Sequence, residues 1–284
     1  MSRAQSVFTA EGTLLALGNN QPFWLNDPEM AWFIQAGKVD LFAVPLQAGE
    51  QAGPRTHFLR AEAGQVLFGI PASNSGASMG FLAVGSSDPC LYKLSLARLQ
   101  ELAHEPTQAK ELAEWIDGWV RELYRSLSDG LPPTQFETLR AGENIELSEF
   151  ASARPDDGLV WVRQTQGKSL LADKENLVLT PAMAPLPVSA SVWIYALEQS
   201  SVLCLDTATM LRQNLAWPSL ARFHEVVKDW AAAKVEQGVR EEGARLEAKA
   251  DSQRMAVEQA VSHLSGLLAT GRAKKAVTEE GGQS

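Results

Sequence analysis

A change in hydrophobic period occurs twice along the chain and limits the possible folds more than any other feature. Between residues 30 and 94, short apolar runs alternate with Gly, Pro, Asn and Asp, which is typical of short antiparallel strands in a small barrel or sandwich. From Ser95 onward the apolar residues recur at helical spacing, until Gly130 and the following prolines interrupt them. The expected strands are 30–34, 56–61, 65–69, 81–84 and 90–94.

The second half of the chain repeats this plan. Three pairs of segments resemble one another at offsets that differ by a few residues, as loop insertions would produce; they are 15–20 with 139–144, 32–38 with 160–168, and 90–95 with 202–207. Each of the last two segments is an apolar strand that ends in helix-capping residue types. The sequence therefore predicts a duplicated strand-then-helix unit, with chance similarity among short apolar motifs as the alternative.

The repeat sets the expected domain organisation. We expect an α+β fold of two tandem β-roll domains, each followed by helices, at residues 10–130 and 134–232. A connector helix is expected over 233–270, because its middle is charged and Ala-rich. A solvated surface helix explains this helix equally well. Residues 271–284 lack core residues and are expected to be a disordered tail.

Composition excludes several classes of function. The 284 residues include 25 Lys and Arg against 34 Asp and Glu, a net charge of −9. An acidic chain lacks the basic face that nucleic acid requires, so we expect no nucleic-acid partner. No apolar run reaches the length of a membrane span, and the first residues show no signal-peptide core. With two cysteines, too few for a disulfide framework, the default location is the cytoplasm.

No catalytic or metal-binding motif is found. Gly167, Lys168 and Ser169 match the end of a phosphate-binding loop, but the required earlier glycine is Val162, so a hairpin turn is expected. The histidines stand apart from other metal-ligand residue types; they are His57, His104, His224 and His263. An enzyme of cupin type would need clustered metal ligands, so the sequence gives that interpretation little support. We therefore expect no enzymatic activity, no metal and no cofactor.

The remaining reactive and aromatic residues have ordinary explanations. Cys90 and Cys204 fall at matching places in apolar strands, so buried, inert thiols are expected. Trp24, Trp32 and Phe42 crowd one stretch and are the candidates for a binding surface. Core packing is the competing explanation for these three aromatics.

Residues 63–70 resemble the strand that leads into the phosphate-binding cassette of cyclic-nucleotide-binding domains. In nucleotide-binding members a Glu follows the Phe-Gly pair, but here Ile70 follows Gly69, and 75–89 contain no Arg or Lys. The matching segment of the second copy, 181–199, also has no Arg. A phosphate would lack its bidentate cation, so neither roll is expected to bind cyclic nucleotides in the usual way.

A more specific resemblance is to the N-terminal region of NHLP or NHLM bacteriocin-system ABC transporter permease/ATPase subunits. It is strong over about residues 12–100 and looser to about 270. The segments that carry it are 18–28, 37–46, 49–55 and 62–69. Family members export ribosomally made, modified peptides with nitrile-hydratase-like leaders. This chain has no Walker motif and no ABC signature, so the resemblance implies only the N-terminal cytosolic part, as a fragment, a truncation or a split subunit.

The resemblance implies a non-enzymatic regulatory or docking module of a peptide exporter. It would lie at the inner face of the bacterial plasma membrane and reach the membrane only through the transporter. The implied partners are the membrane and ATPase domains or a sister subunit, a leader peptide, and a second protomer in a homo- or heterodimer. The alternative is a small-molecule sensor of the same β-roll type, for which Asn74, Ser75 and Ser78 are the available polar groups.

Overall fold

The computed structural model describes residues 3–72, 77–128, 130–171 and 177–280. The chain divides into two compact units, Met1–Ala233 and Lys234–Ser284. The first unit contains two strand-rich halves, the first with strands between Thr13 and Ser95 and the second with strands between Glu137 and Leu205. The domain boundaries expected from the sequence stay a prediction.

The first half contains three helices and seven strands. In chain order they are α1 (Arg3–Glu11), β1 (Thr13–Ala16), β2 (Pro22–Trp24), β3 (Met30–Gln47), β4 (Glu50–Gln51), β5 (Thr56–Glu62), β6 (Val66–Phe68), β7 (Ala77–Ser95), α2 (Leu96–Leu102) and α3 (Pro106–Leu127). The strands join in one sheet, in which β3 and β7 pair antiparallel along most of their length. β3 also pairs with β4, β5 and β6, and β7 with β1 and β2.

The long strands β3 and β7 correct the expected pattern of several short strands. Gly37 does not end β3, because the pairing with β7 shifts register around Ala36 and resumes at Lys38. Gly37 adopts a φ of +76°, and a Cβ there would lie 2.7 Å from the backbone of Pro89. A bulge of this kind bends a strand without breaking it.

α2 and α3 follow the change to helical spacing that the sequence shows from Ser95, whereas α1 was not predicted. The Ser95 hydroxyl accepts a hydrogen bond from the Arg98 backbone amide, which caps α2. α3 begins with Pro106, whose missing amide proton is not needed in the first turn. Its apolar face is buried against the sheet and the second half, and this face includes Trp115, Ile116 and Trp119.

The second half contains nine described strands and two helices. They are β8 (Glu137–Thr138), β9 (Asn144–Leu147), β10 (Ser152–Arg154), β11 (Leu159–Gln166), β12 (Ser169–Leu171), β13 (Val178–Leu179), β14 (Leu186–Ser189), β15 (Ile194–Ala196), β16 (Ser200–Leu205), α4 (Thr207–Arg212) and α5 (Ala216–Glu280). β11 pairs antiparallel with β16 as β3 does with β7, and β9 pairs with β16 as β1 does with β7. Asp206 caps α4 as Ser95 caps α2.

These pairings confirm the α+β class, with two tandem strand-rich units, each followed by helices, and a long C-terminal helix. The expected hairpin at Gly167 is wrong. That residue adopts a φ of +71° between β11 and β12, but those strands belong to a four-stranded and a five-stranded sheet respectively. The turn therefore joins two sheets.

The second compact unit is the part of α5 from Lys234 onward. Its described side chains are mostly exposed, including the apolar residues Val239, Leu246, Met255, Val257 and Val261. α5 extends to Glu280, so residues 271–280 are helical where the sequence suggested a disordered tail. Among the described residues, no helix is both long and apolar enough to cross a membrane.

Candidate functional site

The aromatics that the sequence offered as a binding surface lie in or against the core of the first half. Trp32 is 3% exposed, and the Lys93 ammonium lies 5.4 Å from the centre of its ring. Trp24 and Phe42 are partly buried and pack against the buried cluster of Val44, Leu46 and Leu82. The structure therefore does not bring these three rings together on an open surface.

The two cysteines differ more than the sequence suggested. Cys204 is buried in β16, and burial raises the pKa of its thiol to about 11. Cys90 is only partly buried, and its Sγ donates a hydrogen bond to the Gln35 side chain. Cys90 therefore departs from the expected buried thiol, because β7 leaves its side chain near the protein surface.

Polar groups offer no metal centre in the described part of the chain. Within residues 3–72, 77–128, 130–171 and 177–280, His, Cys, Asp and Glu form no group of three that could hold a metal ion. His57 lies on β5 as predicted, where Asp40 contacts it and also pairs with Arg60. Of the polar residues suggested for a sensor, Asn74 and Ser75 lie outside the described residues.

A hollow lies between α3 and the turn that joins β5 to β6. We call it the α3 hollow; its volume is about 130 Å³, and it is lined by Gly64, Gln65, Val66, Glu114, Trp115, Gly118, Trp119 and Glu122. Glu114, Gly118 and Glu122 follow one another at four-residue steps, which places them in a single row along the helix. A Cβ on Gly118 would have no atom within 4 Å, so the glycine leaves open space.

The turn side of the α3 hollow is fixed by backbone hydrogen bonds. Gly64 donates its amide to the Ile34 carbonyl at 2.8 Å, and the Ile34 amide donates to the Gln65 carbonyl at 3.0 Å. Gly64 has a φ of +93°, a conformation that a side chain would strain. The turn is thereby held against β3 in a preformed shape.

The helix side of the hollow is fixed by aromatic packing. The Trp115 ring contacts Phe8 at 5.7 Å and Phe33 at 6.2 Å between ring centres. The Trp119 ring contacts Phe68 at 6.4 Å and His224 at 6.1 Å. These neighbours restrict the rotamers of both tryptophans.

Trp119 connects the α3 hollow to α5. Its Nε1 donates a hydrogen bond of 2.9 Å to His224 Nε2 in the buried interior. Because Nε2 accepts from Trp119, the neutral imidazole carries its proton on Nδ1, and the ring is also hydrogen-bonded to the backbone of Gly69. Burial, with the nearby Lys228 charge, lowers the pKa of His224 to about 3, so the ring is neutral at physiological pH.

α5 holds the chain that follows β6 at further points. The Lys228 ammonium donates to the Pro71 carbonyl at 2.9 Å and pairs with Glu225 at 2.8 Å. The Trp217 ring packs against Phe68 with 6.0 Å between ring centres. We call the contacts of Trp217, His224 and Lys228 with residues 68–71 the α5 clamp.

A second buried polar chain joins α3 to the second half. Trp161 Nε1 donates to the Thr207 hydroxyl at 2.7 Å, and that hydroxyl donates to the Asp117 carboxyl. Burial raises the pKa of Asp117 to about 6, against the opposing effect of the Thr207 hydrogen bond. This carboxyl therefore changes charge close to neutral pH.

A shallower hollow of about 480 Å³ lies at the edge of the five-stranded sheet. It is lined by Thr134, Gln135, Phe136, Glu137, Phe150, Ala151 and Ser152. Phe150 is 61% exposed, has a φ of +67°, and stacks on Tyr195 with 6.2 Å between ring centres. An exposed aromatic in the left-handed region is a strained arrangement that occurs mainly at functional positions.

Sequence patterns carried only partial signals for these sites. Trp115 and Trp119 stood out as part of an apolar helix face, which concealed their role in lining a hollow. Gly118 was the available signal, because a glycine inside a helical pattern lowers helix stability relative to alanine and has no side chain to fill the space beside it. No local pattern indicated a functional role for His224 or Lys228. Their contact partners, Gly69 and Pro71, lie more than 150 residues away in the sequence.

Comparison with known proteins finds only partial structural similarity at low sequence identity. No family model matches the chain, and no curated protein sequence matches it. Solved structures that resemble it in part include a mutant of CooA from Carboxydothermus hydrogenoformans, with 12% identity, 44% of this chain, 76% of that chain and a TM-score of 0.32. Reduced CprK without ligand is 11% identical over 52% of this chain and 74% of that chain, with a TM-score of 0.35. The cAMP-bound PfPKA-R is 11% identical over 84% of this chain and 85% of that chain, with a TM-score of 0.27.

Proposed function

We propose that this chain is a non-catalytic regulatory module, in which the α3 hollow receives a small molecule and α5 carries the response. The observation that carries the proposal is the direct bond between Trp119, a wall of the hollow, and His224 of α5. A ligand that contacts the Trp119 ring adds strain to this buried bond, although the packed ring moves little. The change then reaches the α5 clamp, since His224 and Lys228 lie on one helix.

The ligand expected at this module is not a cyclic nucleotide. The described residues after β6 up to Ala72 supply no cation, and the sequence from 75 to 89 contains no Arg or Lys. Calorimetric titration with cyclic AMP and cyclic GMP should therefore give no saturable heat. Tight binding of either nucleotide would mean that this roll has an unusual phosphate site.

Hydrogen exchange tests the regulatory proposal itself. Amides of residues 217–233 should exchange at a different rate when the hollow is occupied, and Trp119→Phe should remove the difference because it keeps a ring but loses the Nε1 donor. Trp193→Phe is the matched control, since Trp193 lies in the second half beside Gly130 and outside the hollow. Ligand binding that leaves α5 exchange unchanged in the wild-type chain would refute the regulatory role.

Docking of a peptide is the second candidate function, and Phe150 is the observation that favours it. An exposed, strained aromatic at a sheet edge suits the capture of an extended peptide. Membership in a peptide exporter and a nitrile-hydratase-like leader as cargo stay predictions from the resemblance. Titration with such a leader should show binding that Phe150→Ala weakens at least fivefold, while Leu131→Ala, at a still more exposed apolar position, has no effect.

Clean protein should not hydrolyse ATP, because the sequence has no Walker motif. Turnover above the rate of a boiled sample would contradict the non-catalytic assignment.

A further inference from the structure

We propose that the α3 hollow binds an organic cation of the ammonium or guanidinium type, and this ligand class rests on the regulatory role proposed above. The proposal depends on four properties of the hollow: the charge of its rim, the aromatic character of its wall, its size and its rigidity.

The rim of the hollow is negative. Glu114 and Glu122 lie one helical turn to either side of Gly118, so their carboxylates flank the open space above the glycine. Within the described part of the chain, Glu114 forms no ion pair. Glu122 pairs with Arg125 through both carboxylate oxygens, at 2.7 and 2.8 Å, but the Arg125 side chain is 73% exposed, so water screens that pair.

The wall of the hollow is aromatic. Trp115 and Trp119 line the hollow together with the two glutamates, and indole is the side chain that attracts cations most strongly. A ligand cation in the hollow gains from the indoles and the negative rim together. An anion would meet two carboxylates, and a neutral apolar ligand would desolvate them without compensation.

Size and rigidity fit a small head group. A volume of about 130 Å³ is close to that of a cavity that accepts benzene, roughly 150 Å³. A trimethylammonium or guanidinium group is of this order. Because the turn is bonded to Ile34 and both indoles are packed, the free energy needed to order the site on binding is small.

Titration calorimetry with tetramethylammonium and methylguanidinium on the full chain tests the proposal. Saturable binding in the micromolar to millimolar range is expected, together with a change in tryptophan emission. The neutral analogues tert-butanol and urea, and the anion acetate, should bind at least tenfold more weakly. Equal binding of the neutral analogues, or no saturable binding of either cation, would overturn the proposal.

Two variants separate the site from the fold. Glu114→Gln with Glu122→Gln keeps the side-chain size and should weaken cation binding at least tenfold. Gly118→Leu should abolish binding, because its side chain extends into open space, while the helix is expected to become more stable. Gly243→Leu, at an open glycine of α5, is the control with the same helical gain and no loss of binding. Cation binding unchanged in Gly118→Leu would show that the ligand binds elsewhere.

The source of the cation is resolved by a further arm of the titration. A blocked Gly-Arg-Gly peptide that binds more tightly than methylguanidinium identifies an arginine side chain as the natural ligand; weaker binding identifies a free cation.

Hydrogen exchange on the same samples separates the cation site from the regulatory role. Cation binding without a change at residues 217–233 upholds this site and refutes the regulatory role. A change in α5 exchange that another compound produces, without any cation binding, upholds the regulatory role and refutes the cation site.

Discussion

At the scale of single residues, the buried groups whose pKa values are shifted link stability to pH. Asp117 on α3 is partly buried and His224 on α5 is fully buried, and both are hydrogen-bonded within the first compact unit. Burial disfavours a charged carboxylate and a charged imidazole alike, so the pKa of Asp117 is raised and the pKa of His224 is lowered. Their effects on stability therefore run in opposite directions with pH.

Replacement of Asp117 by Asn should make the unfolding free energy depend less on pH between pH 4 and 7. The pKa of Asp117 is raised from 3.8 to about 6, so the folded state holds the extra proton between these values. This contribution is complete below about pH 4 and is lost as pH rises through 6, a change of at most about 3 kcal/mol. Denaturant unfolding of Asp117→Asn between pH 4 and 7 should lack that loss. An identical profile for Asp117→Asn and the wild type would contradict the shifted pKa.

Replacement of His224 by Asn should reduce the loss of folding stability at acidic pH. The pKa of His224 is lowered from 6.5 to about 3, so the unfolded chain binds the extra proton in this range. Stability from this group is present above pH 6.5 and is lost as pH falls toward 3. His224→Asn keeps an acceptor for Trp119 and should reduce the acid loss between pH 6.5 and 4. His104→Asn, at an exposed position, serves as the control for removing a titratable histidine.

At the scale of elements, α5 is the part that combines distant pieces of the first unit. Its buried face contacts α3 through Trp119 and the chain after β6 through Pro71. Lys228 is only 8% exposed, so its ammonium is held by two partners with little water between them. The clamp therefore rests on a few specific bonds, which single substitutions can remove.

Replacement of Lys228 by Met should loosen the α5 clamp without unfolding the protein. The methionine keeps an apolar stem but leaves the Pro71 carbonyl without its donor. Amides of residues 69–72 should exchange at least tenfold faster, while the unfolding free energy changes by about 1 kcal/mol, because removal of a buried charge offsets the lost bond. Lys249→Met, on the exposed part of α5, should leave this exchange unaltered. Unchanged protection of 69–72 in Lys228→Met would contradict the clamp.

At the scale of the whole molecule, the described buried residues belong to the first compact unit. The buried hydrophobic residues end at Ala231, and the described side chains beyond Lys234 are mostly exposed. Core burial therefore stabilises Met1–Ala233, while the exposed part of α5 depends mainly on helix propensity.

Truncation after Ala233 should leave the first unit folded. A chain of residues 1–233 keeps the core and the α5 clamp, so its melting temperature by circular dichroism should lie within about 3 °C of the full chain. The helical signal should fall with the missing part of α5. A chain that ends after residue 215 is the contrasting case, since it loses His224 and Lys228 and should melt at a much lower temperature. Equal melting of the two shortened chains would show that α5 does not stabilise the unit.

The α+β class and the strand-then-helix order of each half, apart from α1, could be predicted from the sequence, because these depend on local chemistry. The change of period at Ser95, the cap at Asp206 and the proline and glycine breaks act over a few residues and are readable in one dimension. The choice of Trp24, Trp32 and Phe42 as a surface depended on exposure, which no local pattern reports. The extent of β3 and β7 likewise depended on pairing between residues that lie 30 to 65 positions apart in the sequence.

The position of the candidate site follows from tertiary packing and could not be read from any single segment. The α3 hollow needs a turn at Gly64 and a helix at Gly118 to face each other, and its link to α5 needs His224 to meet Trp119 across 105 residues. Such contacts are set by how the elements pack together. Side-chain identity along the chain gives the kinds of groups available, and packing alone determines which of them share a cavity.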